Sequence, residues 1–592
     1  MRPSIIVTMI CIVLTIFVAR DLPADSPNVF WGGQGKVSMV ATAKSTPAEG
    51  SPGISIVQGH NNTGFDFQSN GGDERRLCVL PDGSVHAVYS GHSPDKNERY
   101  TYYVFSDDFG STFTEPKQVE TRPAEFPTLG VTPDGRAVVV SHKAKDPRCL
   151  YFQIDYQKGM GFFLPTNIPD DPPNYALPRV AVPSDSIAVF SAFSRLAINS
   201  VWNSFNFKTN AFTHEQNQEM FPGVSGNYGY THALAKSKNG KVAMAMINYL
   251  AWDGEDWMRE NDFGENGVLV RESLDGGLTF GDPVDITQYG NELPPPFHHV
   301  WLTGLSALYV GEELHLTWVE SFLNDIHTRP HNALRIMHWS PAVNNGIPTV
   351  AVRWDSLHFA YWEGDPQIAP IDFPYLGVDE EGVLTISFCS FPPDTTVKDS
   401  LTGYLFSDVF AVSSADNGYS WGEPTNLTNS PEMDDRYPYI SEWNEAGTIN
   451  VLYQSDTKTG QIPWGSQYVG EVDYLFLKTD HPSTEPYNFY TDVKAQPVSN
   501  PQDFLLLRNY PNPFNPATTI EFECPSSFVT LDIFDVLGRH VKTLVQEKRL
   551  AGRHSEVWDA TDKSGRFVSS GVYFAVLHTE KAQRTLKLVL MK

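Results

Sequence analysis

Arg76-Leu77-Cys78-Val79-Leu80-Pro81-Asp82-Gly83-Ser84-Val85-His86-Ala87-Val88 reads as two short apolar strands around a tight Asp-Gly turn, the strongest hairpin signal a sequence carries. The pattern returns through residues 126–140, 177–193, 230–247, 301–319, 373–388 and 437–453, giving seven copies. Gly83, Gly135, Gly240, Gly311, Gly382 and Gly447 mark six of the turns, and Ser184-Asp185-Ser186 marks the third. Glycine markers of adjacent copies lie 52 to 71 residues apart, and the third copy falls inside the longer interval from Gly135 to Gly240, leaving room for four strands and their loops in each. A four-stranded unit repeated radially is a propeller blade. The expected fold is therefore all-β, a six- or seven-bladed β-propeller followed by a small Ig-like β-sandwich. Residues 25–72, with strand-like Ile54-Ser55-Ile56-Val57, are expected to supply an outer strand that closes the ring, because an open ring exposes two sheet edges.

A second motif recurs in register with three of the hairpins. Ser106-Asp107-Asp108-Phe109-Gly110-Ser111-Thr112-Phe113, residues 273–280 (Ser273 to Phe280) and residues 414–421 (Ser414 to Trp421) all read Ser-x-Asp-x-Gly-x-Ser/Thr-aromatic. Each is followed by an acidic residue and proline: Glu115-Pro116, Asp282-Pro283 and Glu423-Pro424. This resembles the Asp-box, or bacterial neuraminidase repeat, of sialidase-like propellers. The resemblance implies a turn joining the third and fourth strands of a blade, away from the central pocket. Its physics is that of a turn: Asp accepts backbone N–H bonds, Gly takes φ > 0, and the last aromatic packs between sheets.

The tail has its own pattern. Asn509-Tyr510-Pro511-Asn512-Pro513-Phe514-Asn515-Pro516 precedes alternating strands and Gly turns over the remaining residues. This stretch resembles the type A C-terminal sorting domain of the type IX secretion system. The resemblance implies export across both membranes of a diderm bacterium, with the secretion machinery as a partner; an ordinary Ig-like adhesion module is the alternative. Charge divides the chain at the same place. The whole carries −27, yet Pro501 to Lys592 holds 12 basic and 10 acidic residues, leaving −29 on the rest. So acidic a surface repels a phosphate backbone and argues against nucleic acid.

In a chain of 592 residues, 41% hydrophobic and 19% charged residues exclude both a disordered chain and a multi-span membrane protein. Arg2 and the apolar run Ile5 to Val18 read as a secretory signal within residues 1–24, with Ala19 and Ala24 as candidate cleavage sites and a retained anchor as the alternative. The expected organisation is signal 1–24, extension 25–72, propeller 73–490, linker 491–502 and sorting domain 503–592. Extracellular or cell-surface location and a monomer are expected. Cys11, Cys78, Cys149, Cys389 and Cys524 show no ligand spacing, so neither metal nor cofactor is expected.

Innermost strands line a propeller's central funnel, so the residue two before each hairpin proline is the position to read. Glu125-Phe126-Pro127, Asp372-Phe373-Pro374 and Arg436-Tyr437-Pro438 place two acids and one base there. Glu125 and Asp372 are the candidate catalytic carboxylates, on opposite flanks of the axis, as a glycosidase acid/base pair requires. The competing role for each is an inter-blade salt bridge or an N–H cap. Arg436, Arg75, Arg179, Tyr230 and His299 are the candidate substrate-binding residues. Sialidases clamp a sugar carboxylate with three arginines, the first in an Arg-Ile-Pro motif of blade one; here that hairpin reads Glu74-Arg75-Arg76-Leu77-Cys78, without the motif. Arginines also suit uronates and sulfated glycans. The readings in play are a sialidase-like exo-glycosidase, a polysaccharide lyase using Tyr or His as base, and a propeller that binds glycan or protein without turnover.

Overall fold

The computed structural model describes residues 52–56 and most of 74–487 and 507–590. The signal candidate, the linker, Tyr230 and the side chain of His299 lie outside the described residues. The chain divides into two compact units, Met1–Tyr487 and Asn488–Lys592.

Among the described residues the first unit holds seven sheets, five of four strands and two of five, antiparallel except where Trp443–Asn444 pairs in parallel with Ile371–Asp379 in the sixth. Their innermost strands are Leu77–Val79, Ala124–Val131, Tyr175–Ala181, His232–Lys236, His299–Val310, Ile371–Asp379 and Asp434–Ile440, here the first strands of blades one to seven. The seven hairpins of the sequence are the first two strands of the seven blades. Registers such as Val79↔Val85 and Val131↔Ala137 close on turns whose glycines sit at φ +87° (Gly83) and +85° (Gly135). In blade three, where no turn glycine is present, Ser184 Oγ accepts the N–H groups of Ser186 and Ile187 and holds the same turn.

Hydrogen bonds tie each blade to the next. Leu129 N–H donates to Arg75 O, Leu177 N–H to His142 Nδ1, and Arg179 Nε to His232 O. Ser237 Oγ then donates to Glu312, Leu376 N–H to Ser306 Oγ, and Ser387 Oγ to Pro438 O. Val79 N–H, donating to Ser441 Oγ at 2.9 Å, joins blade one to blade seven and completes the circle at seven blades, not six. The outer strand of the last sheet comes from the N-terminus. Ile54–Ser55 pairs antiparallel with Phe476 and Leu475, and fully buried Ile56 donates its N–H to Tyr474 O at 2.9 Å.

The three Ser-x-Asp turns join third to fourth strands. In the first, Thr112 N–H and Oγ1 both donate to the Asp108 carboxylate, and Ser106 Oγ accepts Gly110 N–H at 2.9 Å. Asp275 and Asp416 repeat this arrangement. In blade one the turn packs on the hairpin, Phe109 N–H donating to Gly83 O at 2.8 Å. These aspartates therefore sit at the end of the blade where the first hairpins turn. Blade two carries an unsignalled relative: Asp155 accepts the N–H groups of Gly161 and Phe162.

Among the described residues the second unit is a β-sandwich of a three-stranded and a four-stranded sheet. Strands Ser527–Asp535 and Gly571–His578 are its centre, pairing Phe534 with Phe574. Phe514, Ile520, Leu531, Ile533, Trp558 and Leu577 fill the space between the sheets.

Candidate ligand site at the propeller axis

Five of the seven inner strands break step at one level. In blade two Glu125 pairs with His142 and Thr128 with Val140, so Phe126 and Pro127 stand opposite Ser141 alone. The same bulge recurs at Leu177, Gly304, Phe373 and Tyr437. Each of these residues has positive φ, between 52° and 56°. Such backbone costs a non-glycine residue on the order of 1 kcal/mol or more and persists only where surrounding packing enforces it. The proline that follows in four of the five fits because a bulge residue needs no ladder partner for its N–H. The acid-aromatic-proline signature is thus the sequence form of a left-handed bulge.

A bulge also strands backbone N–H groups, which must find side chains. Phe126 N–H donates to Ser90 Oγ at 3.2 Å, Leu177 N–H to His142 Nδ1 at 3.2 Å, and Phe373 N–H to Asp372 Oδ1 at 2.8 Å. Asp372, buried beside Cys389, therefore caps its own bulge, and burial, reinforced by the Asp372 charge, pushes the Cys389 thiol well up. Glu125, 1% exposed, pairs with Arg99 of blade one at 2.6 Å and with His142 Nε2 at 3.4 Å. Because His142 Nδ1 accepts from Leu177, the neutral ring carries its proton on Nε2, facing Glu125. Phe126 stacks on that ring at 5.3 Å.

Arg436 is buried and paired with Asp434, its neighbour on the strand. Arg179 follows the blade-three bulge. Its Nη1 meets Glu74 Oε1 at 3.3 Å and the carbonyls of Leu177 and Pro178, while Nε meets His232 O. Glu74 Oε2 in turn receives Arg76 Nη2 at 2.8 Å, and the Arg76 guanidinium lies 5.3 Å from the Tyr439 ring centroid. Arg75 points elsewhere, to Glu442 and the Ala307 carbonyl, with Lys236 3.8 Å from the other Glu442 oxygen. The three arginines of the sequence reading therefore each have a different acid: Glu442 for Arg75, Glu74 for Arg179, Asp434 for Arg436. His299 opens the blade-five inner strand.

Residues the sequence reading left out stand beside Arg179 in the row just past the bulge: Thr128, Tyr375 and Tyr439, with Arg76 joined to them through Glu74 and Tyr439. The signal lay one residue after each proline rather than two before it. Chemically, a carboxylate clamped by arginine and histidine is poorly placed to deliver a proton, whereas buried cations and tyrosines along the axis favour negative charge.

Residues 515–583 match the family model of the FlgD Ig-like domain. No curated protein matches the chain. Among solved structures it is similar to PorZ, a surface component of the type-IX secretion system of Porphyromonas gingivalis, at 11% identity and a TM-score of 0.36, over 88% of this chain and 60% of that one. It is similar to the α-L-arabinanase of Penicillium chrysogenum at 12% identity and a TM-score of 0.36, over 72% of this chain and 98% of that one. It is also similar to a Hadza microbial sialidase at 13% identity and a TM-score of 0.35, over 69% of this chain and 66% of that one. The chain thus spans less than two thirds of PorZ. Likeness at this level assigns no activity.

Proposed function

We propose that the protein is an exported propeller that binds an acidic glycan at its axial funnel without turning it over. The observation that carries this is the state of the two candidate carboxylates: Glu125 is held by Arg99 and His142, and Asp372 caps a backbone N–H. Arg436, Tyr230 and His299 are proposed to meet the ligand at the mouth. Arg75 and Arg179, drawn toward Glu442 and Glu74, are proposed to form the floor.

The second reading is sialidase-like hydrolysis by Glu125 and Asp372, favoured by their equivalent bulge positions on blades two and six. A panel of sialosides, uronates and sulfated glycans, tested for binding and release with wild type and Glu125→Gln, separates the two. Binding without release supports the proposal; release that falls steeply in Glu125→Gln establishes hydrolysis.

Export is proposed from the signal-like N-terminus and a tail that resembles a sorting domain, with the type IX machinery as partner and the cell surface or medium as destination. The mature protein from its host should lack the first 19–24 residues and roughly the last 80–90, by intact mass. A full-length cytoplasmic product overturns export.

A further inference from the structure

Blades six and seven meet at a seam of buried carboxyl groups. Asp408 opens the third strand of blade six, Asp408–Ser414, and Asp435 lies beside Arg436 on the inner strand of blade seven. Their exposures are 2% and 0%. Asp408 gathers the loop that crosses from one blade to the next. Asn426 Nδ2 donates to its Oδ2 at 2.7 Å, while Thr428 Oγ1 and Ser430 N–H, both at 3.1 Å, donate to its Oδ1. Asp435 N–H donates to Ser407 O at 2.8 Å, and Ser455 Oγ, on the strand opposite, donates to Asp435 Oδ1 at 2.6 Å.

The Ser430 hydroxyl joins the two acids. It lies 2.9 Å from Asp408 Oδ1 and is also hydrogen-bonded to Asp435 Oδ2. A hydroxyl has one proton to give, so it cannot donate to both carboxyl groups. If neither acid carried a proton, one of the two buried contacts would set lone pairs against each other. Three other donors already converge on Asp408, so the missing proton belongs on Asp435. Asp435 then donates to Ser430 Oγ, and Ser430 donates to Asp408. Burial, with the Asp408 charge adding to it, pushes Asp435 up to about 7. Other charges stand on the elements packed around it. Asp434, on its own strand, is engaged by Arg436 and by Ser407; Asp372 and the Cys389 thiol lie on the first two strands of blade six. Glu432 is exposed on the crossing loop, and Asp456 and Asp473 lie on the second and third strands of blade seven.

We propose that this seam is a proton-operated latch: a neutral Asp435 carboxyl, hydrogen-bonded through Ser430 to Asp408, fastens the inner strand of blade seven to blade six, and release of that proton to solvent loosens the strand that carries Arg436. Deprotonation leaves two buried carboxyl groups competing for one hydroxyl proton, which costs far more inside the packing than in water. The folded protein holds the proton more tightly than the opened seam does. The latch is therefore fully fastened below about pH 4, the ordinary range of aspartate, and weakens as pH rises through 7. It does not depend on what the funnel binds.

The test is amide hydrogen exchange of the full chain at pH 5 and pH 7.5, corrected for the intrinsic effect of pH on exchange. Protection across residues 407–436 should fall at least about tenfold between the two, more steeply than in strand Val242–Asn248, which carries no acid. Asp435→Asn, whose amide donates to Ser430 as the neutral acid does, should hold protection level across that range. Asp408→Asn, which removes the opposing charge, should make the fall shallower. Wild-type protection that is equal at both pH values, or an Asp435→Asn protein that loosens as wild type does, overturns the latch.

Discussion

Gly304 is the one bulge residue of the five that sits at positive φ, +52°, without a side chain. A Cβ there would stand 2.5 Å from Pro374 Cδ, a ring atom of the neighbouring inner strand that cannot swing away. Gly304→Ala should therefore destabilise by roughly 2–3 kcal/mol in a urea melt, backbone strain and overpacking acting together. Titration supplies a second residue-level outcome. Burial lowers His315 to about 4 and His338 well below its ordinary value, the two rings meeting at 3.0 Å in the packing of blades five and six. A histidine held neutral contributes stability above its unfolded pKa of about 6.5, and that stability drains as pH falls toward 4. Glu120 runs the opposite way. Burial pushes it up to about 7, so its contribution is present at low pH and lost as pH rises from 4.5 through 7. Glu120→Gln should flatten the fall in unfolding midpoint between pH 5 and 8 and leave the acid limb unchanged; an unaltered profile would show that Glu120 is ionised throughout. At this scale the sequence was readable where chemistry shows in a residue type. The acid-aromatic-proline triplets were visible, but that Asp372 serves the backbone while Glu125 serves Arg99 and His142 depends on the bulge and its neighbours, which no composition displays.

Elements were the most legible level, since a hairpin is written by local alternation and a turn residue. All seven hairpins could be read, including the glycine-free one in blade three, whose serine turn uses the same local bonds. The Ser-x-Asp turns were equally plain, because aspartate, glycine and hydroxyl residue all act within eight positions. Asp155 escaped because its turn spreads the same bonds over a longer span, with neither the preceding serine nor the glycine at the usual offset. Asp416→Ala should cost about 1–2 kcal/mol in chemical unfolding, since its carboxylate accepts from Ser414, Ser420 N–H and Ser420 Oγ. It should leave glycan binding at wild-type strength, the turn lying at the far end of the blade from the funnel mouth. Weakened binding with an intact melt would place these turns in the functional surface.

The molecule as a whole consists of two units with their own cores, and the charge break near residue 500 anticipated that division. Residues 488–592 produced alone should give a cooperative thermal transition and a β-type far-ultraviolet spectrum, because the sandwich fills its interior with its own residues. Blade number was the least legible property: seven hairpins allow six blades plus an insertion, and only the bonds from blade to blade decide. The N-terminal strand could be proposed from the need to cover an edge, but its register could not be read, since its partner lies in the last sheet. Removing residues 25–57 should lower stability by at least ~2 kcal/mol, the burial of Ile56 and its paired strand being lost, and should promote self-association through the uncovered Val472–Asp480 edge, detectable by light scattering. That strand also imposes an order of events. The Tyr453 hydroxyl reaches the Pro52 carbonyl, 401 positions away in the chain, and Ile54 waits for Phe476. A segment synthesised early is thus among the last to be used. Until the seventh blade exists, the nascent protein is an arc with two raw ends, and so distant a contact forms late and slowly. Whatever shelters the growing chain must keep those early residues idle for nearly the whole of its synthesis.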